Sequence, residues 1–288
     1  MRNKKYAVFT MDVEAFSDTE CINYSNYDDG NDRIDGFDEY IELLDRYDIK
    51  STLFTVGDFA SKISDRLKCA LQNGHELALH GFNHSVIHET DEEFFKDNMQ
   101  KSKEELSTLF GTEICGFRAP FFAMDNKHLN ILKELGFKYD SSYLSFLKAR
   151  HNVGFDTTDF SVLREGMLAD NGFYEFSLSL GRLFGFPYPV SGGGYIRLAY
   201  WNFIKPVIKN YIKNHDFYVF YIHPFELSRV KPPKIKGLRG YDRFYLNAGL
   251  KNYKKHIEEL ILMLKKEGYE FITFNKLSNI INTKEKQA

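Results

Sequence analysis

Cysteine is scarce: Cys21, Cys69 and Cys115 are the only three in 288 residues. They are odd in number, far apart and without a C-x-x-C pair. Neither a disulfide framework nor a cysteine zinc site can be built from them, and a reducing compartment fits best. A basic excess is also missing. Lys and Arg total 38 against 40 Asp and Glu, a formal net charge of -2, so no nucleic-acid partner is expected. No run approaches the roughly 18 apolar residues that a membrane helix needs. The apolar run after the basic start, Met1 to Lys5, is too short for a signal-peptide core and leads into Asp12 and Glu14. A cytoplasmic protein is the expectation. Linkers and internal repeats are absent too. One domain over 1–288 is expected, with a core of about 6–275 and a frayed polar tail over Thr283–Ala288.

What is present is an ordinary soluble composition, 43% hydrophobic and 27% charged, long enough to bury a full core. Aromatic residues reach 16%; most belong in a core, although exposed rings are also what sugars stack on. The first half alternates apolar runs with helical periods. Strands are expected at Ala7–Met11, Thr52–Val56, Leu77–Leu79, Ile114–Phe117 and from Lys138. Helices are expected at Asp38–Tyr47, Phe59–Leu71, Asp91–Phe110 and Asn126–Leu135. Four βα repeats argue for a parallel sheet with covering helices. Ser142 to Ser191 is less regular, with a strand expected at Phe173–Leu178. Then come a helix over Tyr195–Lys213 broken at Pro206, an apolar strand Phe217–Ile222, a helix Asn252–Lys266 and a last strand Glu270–Phe274. Periodicity alone does not separate an open doubly wound sheet from a closed barrel.

Chemistry gathers where the strands stop. The first ends in Asp12-Val13-Glu14, the third in His80-Gly81-Phe82-Asn83-His84, the fourth in Arg118-Ala119-Pro120, the fifth in Tyr139-Asp140 and a late one in His223-Pro224. In parallel α/β folds these ends open onto one face, which holds the site. Each residue alone has a bland explanation: a solvated acid, a surface salt bridge, a satisfied core histidine. Together they supply imidazole and carboxylate, the donor mixture of a catalytic zinc site. Asp12 and Glu14, two apart on a strand, point the same way. His80 and His84, four apart, reach one ion from a helical turn. Pro120 fixes the backbone and can aim the next amide, that of Phe121. His75 is expected to be structural, and His88 to be a surface or outer residue. Ser191-Gly192-Gly193-Gly194 lacks the Lys-Ser/Thr of a phosphate loop and reads as a mobile loop beside the site.

These motifs, in this order, resemble the polysaccharide deacetylases with a NodB-homology domain, carbohydrate esterase family 4. Gly74-His75-Glu76-Leu77-Ala78-Leu79-His80-Gly81-Phe82-Asn83-His84 is similar to the histidine motif. Gly116-Phe117-Arg118-Ala119-Pro120-Phe121 resembles the Arg-x-Pro-Tyr motif, and Tyr221-Ile222-His223-Pro224 the motif of the acid histidine. The Gly192–Leu198 stretch and His223-Pro224-Phe225-Glu226 resemble a subgroup found with bacterial exopolysaccharide and peptidoglycan-deacetylase-like proteins. The resemblance implies a distorted (β/α) barrel of about seven parallel strands. It implies a metal-dependent hydrolase that removes N-acetyl groups from amino sugars of a surface polysaccharide, peptidoglycan or glycan precursor. A divalent ion, zinc, would sit on Glu14, His80 and His84, with Asp12 as base, Arg118 holding Asp12, and His223 as acid. Phe121 would bind the oxyanion beside Pro120, with Asp140 as an outer partner. Family members often form oligomers, so a homo-oligomer is compatible. One departure stands out: the family's adjacent Asp-Asp becomes Asp12-Val13-Glu14, so either Glu14 reaches the metal, the favoured repair, or the two histidines and water hold it weakly or not at all. Two rivals follow: a relative that opens cyclic imides or ureides without metal, and a sugar-binding module that kept the groove.

Overall fold

The computed structural model describes residues 4–19, 22, 30–144 and 156–285. Cys21 and the last three residues of the expected tail lie outside them. Cys69 is an exposed free thiol and Cys115 a buried one. In chain order the described strands are β1 (Lys5–Val13), β2 (Ser51–Thr55), β3 (Glu76–Leu79), β4 (Gly116–Phe117), β5 (Tyr139–Asp140), β6 (Ser161–Arg164), β7 (Met167–Asp170), β8 (Phe173–Phe176), β9 (Leu180–Leu183), β10 (Phe186–Pro189), β11 (Phe217–Ile222) and β12 (Tyr269–Phe271). The chain forms two compact units, each from two segments: 1–49 with 179–271, and 50–178 with 272–288. Both are α/β, and their strands pair mostly parallel, as the alternation of strand and helix periods requires. No helix among the described residues is long and apolar enough to cross a membrane.

In the first unit β1 lies between two parallel partners, β11 and β12. Strands flanked this way, with both faces covered, read as continuous apolar runs. Every residue of β1 after Lys5 is buried, and so is every residue of β11. Phe9 stacks on Phe220 with ring centroids 4.7 Å apart. The register ends with Met11 opposite Ile222. Because the strands run parallel, the residues that follow, Asp12 to Glu14 and His223, emerge at the same end. Helices Asp35–Asp45, Trp201–Asn214, Gly240–Asn247 and Leu250–Lys266 belong to this unit. Pro206 lies inside the helix Trp201–Asn214; the expected break falls earlier, between Arg197 and Trp201. As the sixth residue, Pro206 lies past the first turn and costs the helix one hydrogen bond, to the Asn202 carbonyl.

In the second unit β2, β3, β4, β5 and β8 pair in parallel, and β8, β7 and β6 continue antiparallel. One row of the register runs Thr55, Leu79, Phe117, Asp140, Glu175. The next residue of β3 and of β4 is therefore His80 and Arg118. The covering helix Glu92–Phe110 starts where Asp91 accepts the Glu93 and Phe94 amides at 3.1 and 3.0 Å, and it stops at Gly111 with φ 64°. Such an acidic cap and a left-handed glycine are the usual start and stop signals. The helix expected over Phe59–Leu71 is split into Gly57–Ala60 and Ser64–Gln72. The last strand is shorter than expected: Phe274 opens a helix that runs to Glu285, into the stretch expected to be frayed.

Candidate active site

In the first unit Asp12 and Glu14 are 2% and 4% exposed, so two carboxyl groups are taken out of water at one strand end. His223 faces them. Burial alone would lower its pKa, but the Glu14 carboxylate, its hydrogen bond to Glu226, and Asp12 outweigh that and raise it to about 9. The imidazole is a cation at neutral pH. His223 leads a single tight turn, Pro224–Glu226, with proline at the first position. Glu226 Oε2 accepts both the His223 backbone N–H at 3.0 Å and Nδ1 at 3.2 Å. This is a capping box with histidine in the cap. The other Glu226 oxygen accepts Arg197 Nε at 2.7 Å, and both side chains are fully buried. Burial would raise the Glu226 carboxyl; Arg197 and His223 together hold it low.

Arg197 arrives there because of the glycine run. Gly192, at φ 110°, bridges Tyr221 in parallel, and a Cβ on it would lie 2.3 Å from the Tyr221 carbonyl oxygen. Gly193 opens the short helix to Arg197. The Ser-Gly-Gly-Gly stretch is thus packed against β11 rather than the loop expected from its composition. Gly36, in the helix Asp35–Asp45, makes a second close approach: a Cβ there would lie 1.8 Å from the Pro224 carbonyl oxygen. Asp35 beside it accepts the Ser228 hydroxyl at 2.6 Å and the Arg229 amide at 2.8 Å.

In the second unit His80 and His84 are buried with ring centroids 5.2 Å apart. Their spacing is realised by a bent loop, not by the helical turn expected from it. Gly81 takes φ 80°, and the Gly57 and Asp58 amides donate to the Gly81 and Phe82 carbonyls at 2.9 and 2.8 Å. His80 Nδ1 is 2.8 Å from the Arg118 carbonyl oxygen. A carbonyl only accepts, so Nδ1 carries the hydrogen and Nε2 keeps its lone pair for a cation. The His84 ring meets Phe121 edge-on at 4.5 Å. Phe121 and Phe122 both have positive φ, 57° and 58°, in a tight turn after Pro120. Two bulky residues in that region cost of order 1–3 kcal/mol each, and such strain clusters at functional sites. Arg118 is fully buried; Nε donates to the Ser141 carbonyl at 3.1 Å and Nη2 to its hydroxyl at 2.9 Å.

Asp140 accepts the Ser142 amide at 3.0 Å and its hydroxyl at 2.8 Å, while Ser142 Oγ accepts the Ala119 amide at 2.8 Å. It therefore braces the Arg118-Ala119-Pro120 turn from behind. Glu175, its register partner, is equally buried and accepts the Tyr143 amide at 3.0 Å. Burial pushes Asp140 up to about 6 and Glu175 well above the carboxylate range, the latter helped by the charge of Asp140. Two like charges in one dry site leave a proton on the pair. Sequence reading missed Glu226, Glu175 and the role of Arg197. The H-P-F-E capping box was the available signal for Glu226; Glu175 becomes visible only through the β5–β8 pairing. His75 is structural as expected, its Nδ1 accepting the Ser51 amide at 3.1 Å. The His88 side chain is 16% exposed.

The family model for polysaccharide deacetylases matches residues 18–139. That segment, less than half of the chain, is similar to the polysaccharide deacetylases. A second model, a domain of unknown function called DUF3473, matches residues 141–279. The deacetylase segment carries His80, His84 and Arg118; the second carries Arg197, His223 and Glu226; Asp12 and Glu14 precede both. A peptidoglycan deacetylase-like protein of Gibberella zeae is 31% identical over 109 residues, 37% of this chain and 32% of that protein. A peptidoglycan deacetylase of Helicobacter pylori is 28% identical over 109 residues, 38% of this chain and 37% of that protein. The match thus spans about one third of each relative's length. A crystal structure assigned as a polysaccharide deacetylase from Mycobacterium smegmatis covers 99% of this chain and 92% of its own, with TM-score 0.64 and 16% identity. At that identity the likeness is one of fold.

Proposed function

We propose that this chain is a metal-dependent hydrolase that removes N-acetyl groups from the amino sugars of a surface polysaccharide, peptidoglycan or glycan precursor. The observation that carries the reading is His223, its Nδ1 held by Glu226 at 3.2 Å, beside two buried carboxyl groups. An amide gives up its amine only when that nitrogen is protonated as it leaves, and a fixed imidazolium is suited to do so. The two curated relatives are named for peptidoglycan deacetylation.

Glu14, His80 and His84 are the donors assigned to the metal, with zinc the expected ion. A carboxylate oxygen and two imidazole nitrogens, one with its tautomer fixed, suit a catalytic zinc site. When bound, the ion supplies Lewis-acid polarisation of the acyl oxygen and a more acidic water. Asp12 accepts the proton of the attacking water. Arg118, clamped by Ser141, is the fixed positive charge assigned to keep Asp12 ionised. The Phe121 amide, aimed by Pro120 and the strained turn, donates to the oxyanion, worth roughly 3 kcal/mol for one such donor. Nδ1 of His223 stays on Glu226, so Nε2 hands its proton to the departing amine.

The test is acetate release from N-acetylglucosamine oligomers and from purified peptidoglycan, with a cyclic ureide as the control substrate and elemental analysis of each variant. His80→Ala and His84→Ala should each abolish metal uptake and turnover. His223→Ala should keep the metal and lose turnover by about 10²–10⁴-fold. Full activity in any of the three, or cleavage of the ureide alone, sinks the reading.

A further inference from the structure

Residues 176–215 contain no Asp or Glu at all. At the chain's average density, 40 acids in 288 residues, about five or six would fall there. The same stretch carries five cations. Two are paired with acids, Arg197 with Glu226 in the interior and Lys205 with Glu259 at 2.5 Å, partly exposed. Arg182, Lys209 and Lys213 are exposed. Four large aromatic side chains are exposed in the same stretch: Phe184 (81%), Phe186 (74%), Tyr200 (75%) and Phe203 (51%).

Their arrangement is not an accident of chain ends. Strands β9 and β10 pair with Leu183 opposite Phe186, so Phe184 and Gly185 form a two-residue turn. Both have positive φ, 51° and 83°, the conformation that selects Asn-Gly or Asp-Gly. A phenylalanine in the first position is strained, and at its exposure it contributes nothing to the core. Arg182 Nη1 braces the turn through the Gly185 carbonyl at 3.3 Å. The Phe184 ring lies 5.8 Å from that of Phe203, at the start of the helix Trp201–Asn214. The exposed arc of that helix continues through Pro206, Lys209, Asn210 and Lys213. Folding alone would put a small polar residue at the turn and acids among the lysines.

We propose that the β9–β10 turn and the exposed arc of the helix Trp201–Asn214 dock this protein onto an anionic lipid bilayer. Aromatic rings seat at the boundary between headgroup and acyl chain, and lysines beside them are drawn to a negative surface. The stretch itself brings no carboxylate to that surface, and Glu259 beside it is neutralised by Lys205. A second protein copy is a poorer occupant, because the same exposed cations would face each other. A free sugar chain would use the rings but has no need of the cations.

The test is co-sedimentation of the whole chain with vesicles of phosphatidylcholine alone and with phosphatidylglycerol added. Binding should need the anionic lipid and weaken as salt rises. The double variant Phe184→Ser/Phe186→Ser should lose about tenfold in partitioning and Lys209→Glu/Lys213→Glu severalfold. Phe184→Trp should add emission that is quenched by brominated phosphatidylglycerol; Trp201, 8% exposed, provides the unquenched reference. Acetate release from a soluble oligomer should be unchanged in all of these, which keeps the result independent of the proposed chemistry. No sedimentation with anionic vesicles at low salt overturns the assignment. So does binding that ignores the phenylalanine changes, a concentration-dependent dimer abolished by them, or competition by a soluble N-acetylated oligosaccharide.

Discussion

Two of the buried clusters of ionisable groups are kept by opposite means. In the first unit Glu226 is held by cations on both sides, Arg197 and His223, so every member stays charged. In the second unit Asp140 and Glu175 face each other as like groups, and burial drives both toward the protonated form. The lesson is about what each cluster can do. A triad of two cations about one carboxylate keeps a proton on His223, the one the proposed chemistry would use. A proton-sharing pair has no need of ions and holds a turn in place, through Ser142 and Ala119.

The sharpest break of that comparison is Glu226→Gln. It leaves Arg197 buried without its counter-charge, and breaking such a pair costs about 3–5 kcal/mol. It should also move the basic limb of the pH–rate profile downward from about 9, because His223 loses a partner that raises its pKa. An unchanged melt and an unchanged basic limb would place His223 outside the influence of Glu226. Next in size, Asp140→Ala removes the acceptor of two buried donors and should destabilise by about 2–3 kcal/mol. It should lower kcat through the Arg118–Phe121 turn while elemental analysis still finds the metal.

The pH dependence of stability separates the clusters by window. Asp140 is raised from 3.8 to about 6 on folding, so the folded form holds its proton longer than the unfolded chain. Stability from that proton is complete below 3.8 and is lost as pH rises through about 6. His223 is raised from 6.5 to about 9, so its contribution is complete below 6.5 and lost as pH rises through about 9. Each window is worth on the order of 3 kcal/mol. Thermal melts of metal-free protein across the range should fall in two steps; His223→Ala should erase the second alone. The smallest effect belongs to Glu175→Gln. The amide keeps a neutral donor beside Asp140, so stability at neutral pH should change by less than about 1 kcal/mol while the acid-side step flattens. A large loss would mean that Glu175 is ionised in the native protein.

The strand ends were legible because parallel pairing leaves little freedom. Once Leu79, Phe117 and Asp140 share a register row, His80 and Arg118 must follow at one edge. Met11 opposite Ile222 does the same for Asp12 and His223. What the residues alone did not reveal depends on tertiary pairing. Arg197 and Glu226 are 29 positions apart, joined only because a glycine run packs on β11. Glu175 lies 35 positions from its partner, Asp140. The β9–β10 hairpin escaped notice because Gly181, Pro187 and Pro189 break the alternation that marks a strand. His80 and His84 carry a helical interval that Gly81 turns into a loop.

The contact of Gly36 with Pro224 has a consequence for inhibitors. No methyl group fits between that helix and the turn carrying His223, and Asp35 ties the turn's far side. Under the proposed chemistry the proton donor therefore sits on a turn whose backbone is held on both sides. An amide whose nitrogen falls short of it will be held intact, so analogues with a shifted nitrogen should act as blockers rather than slow substrates.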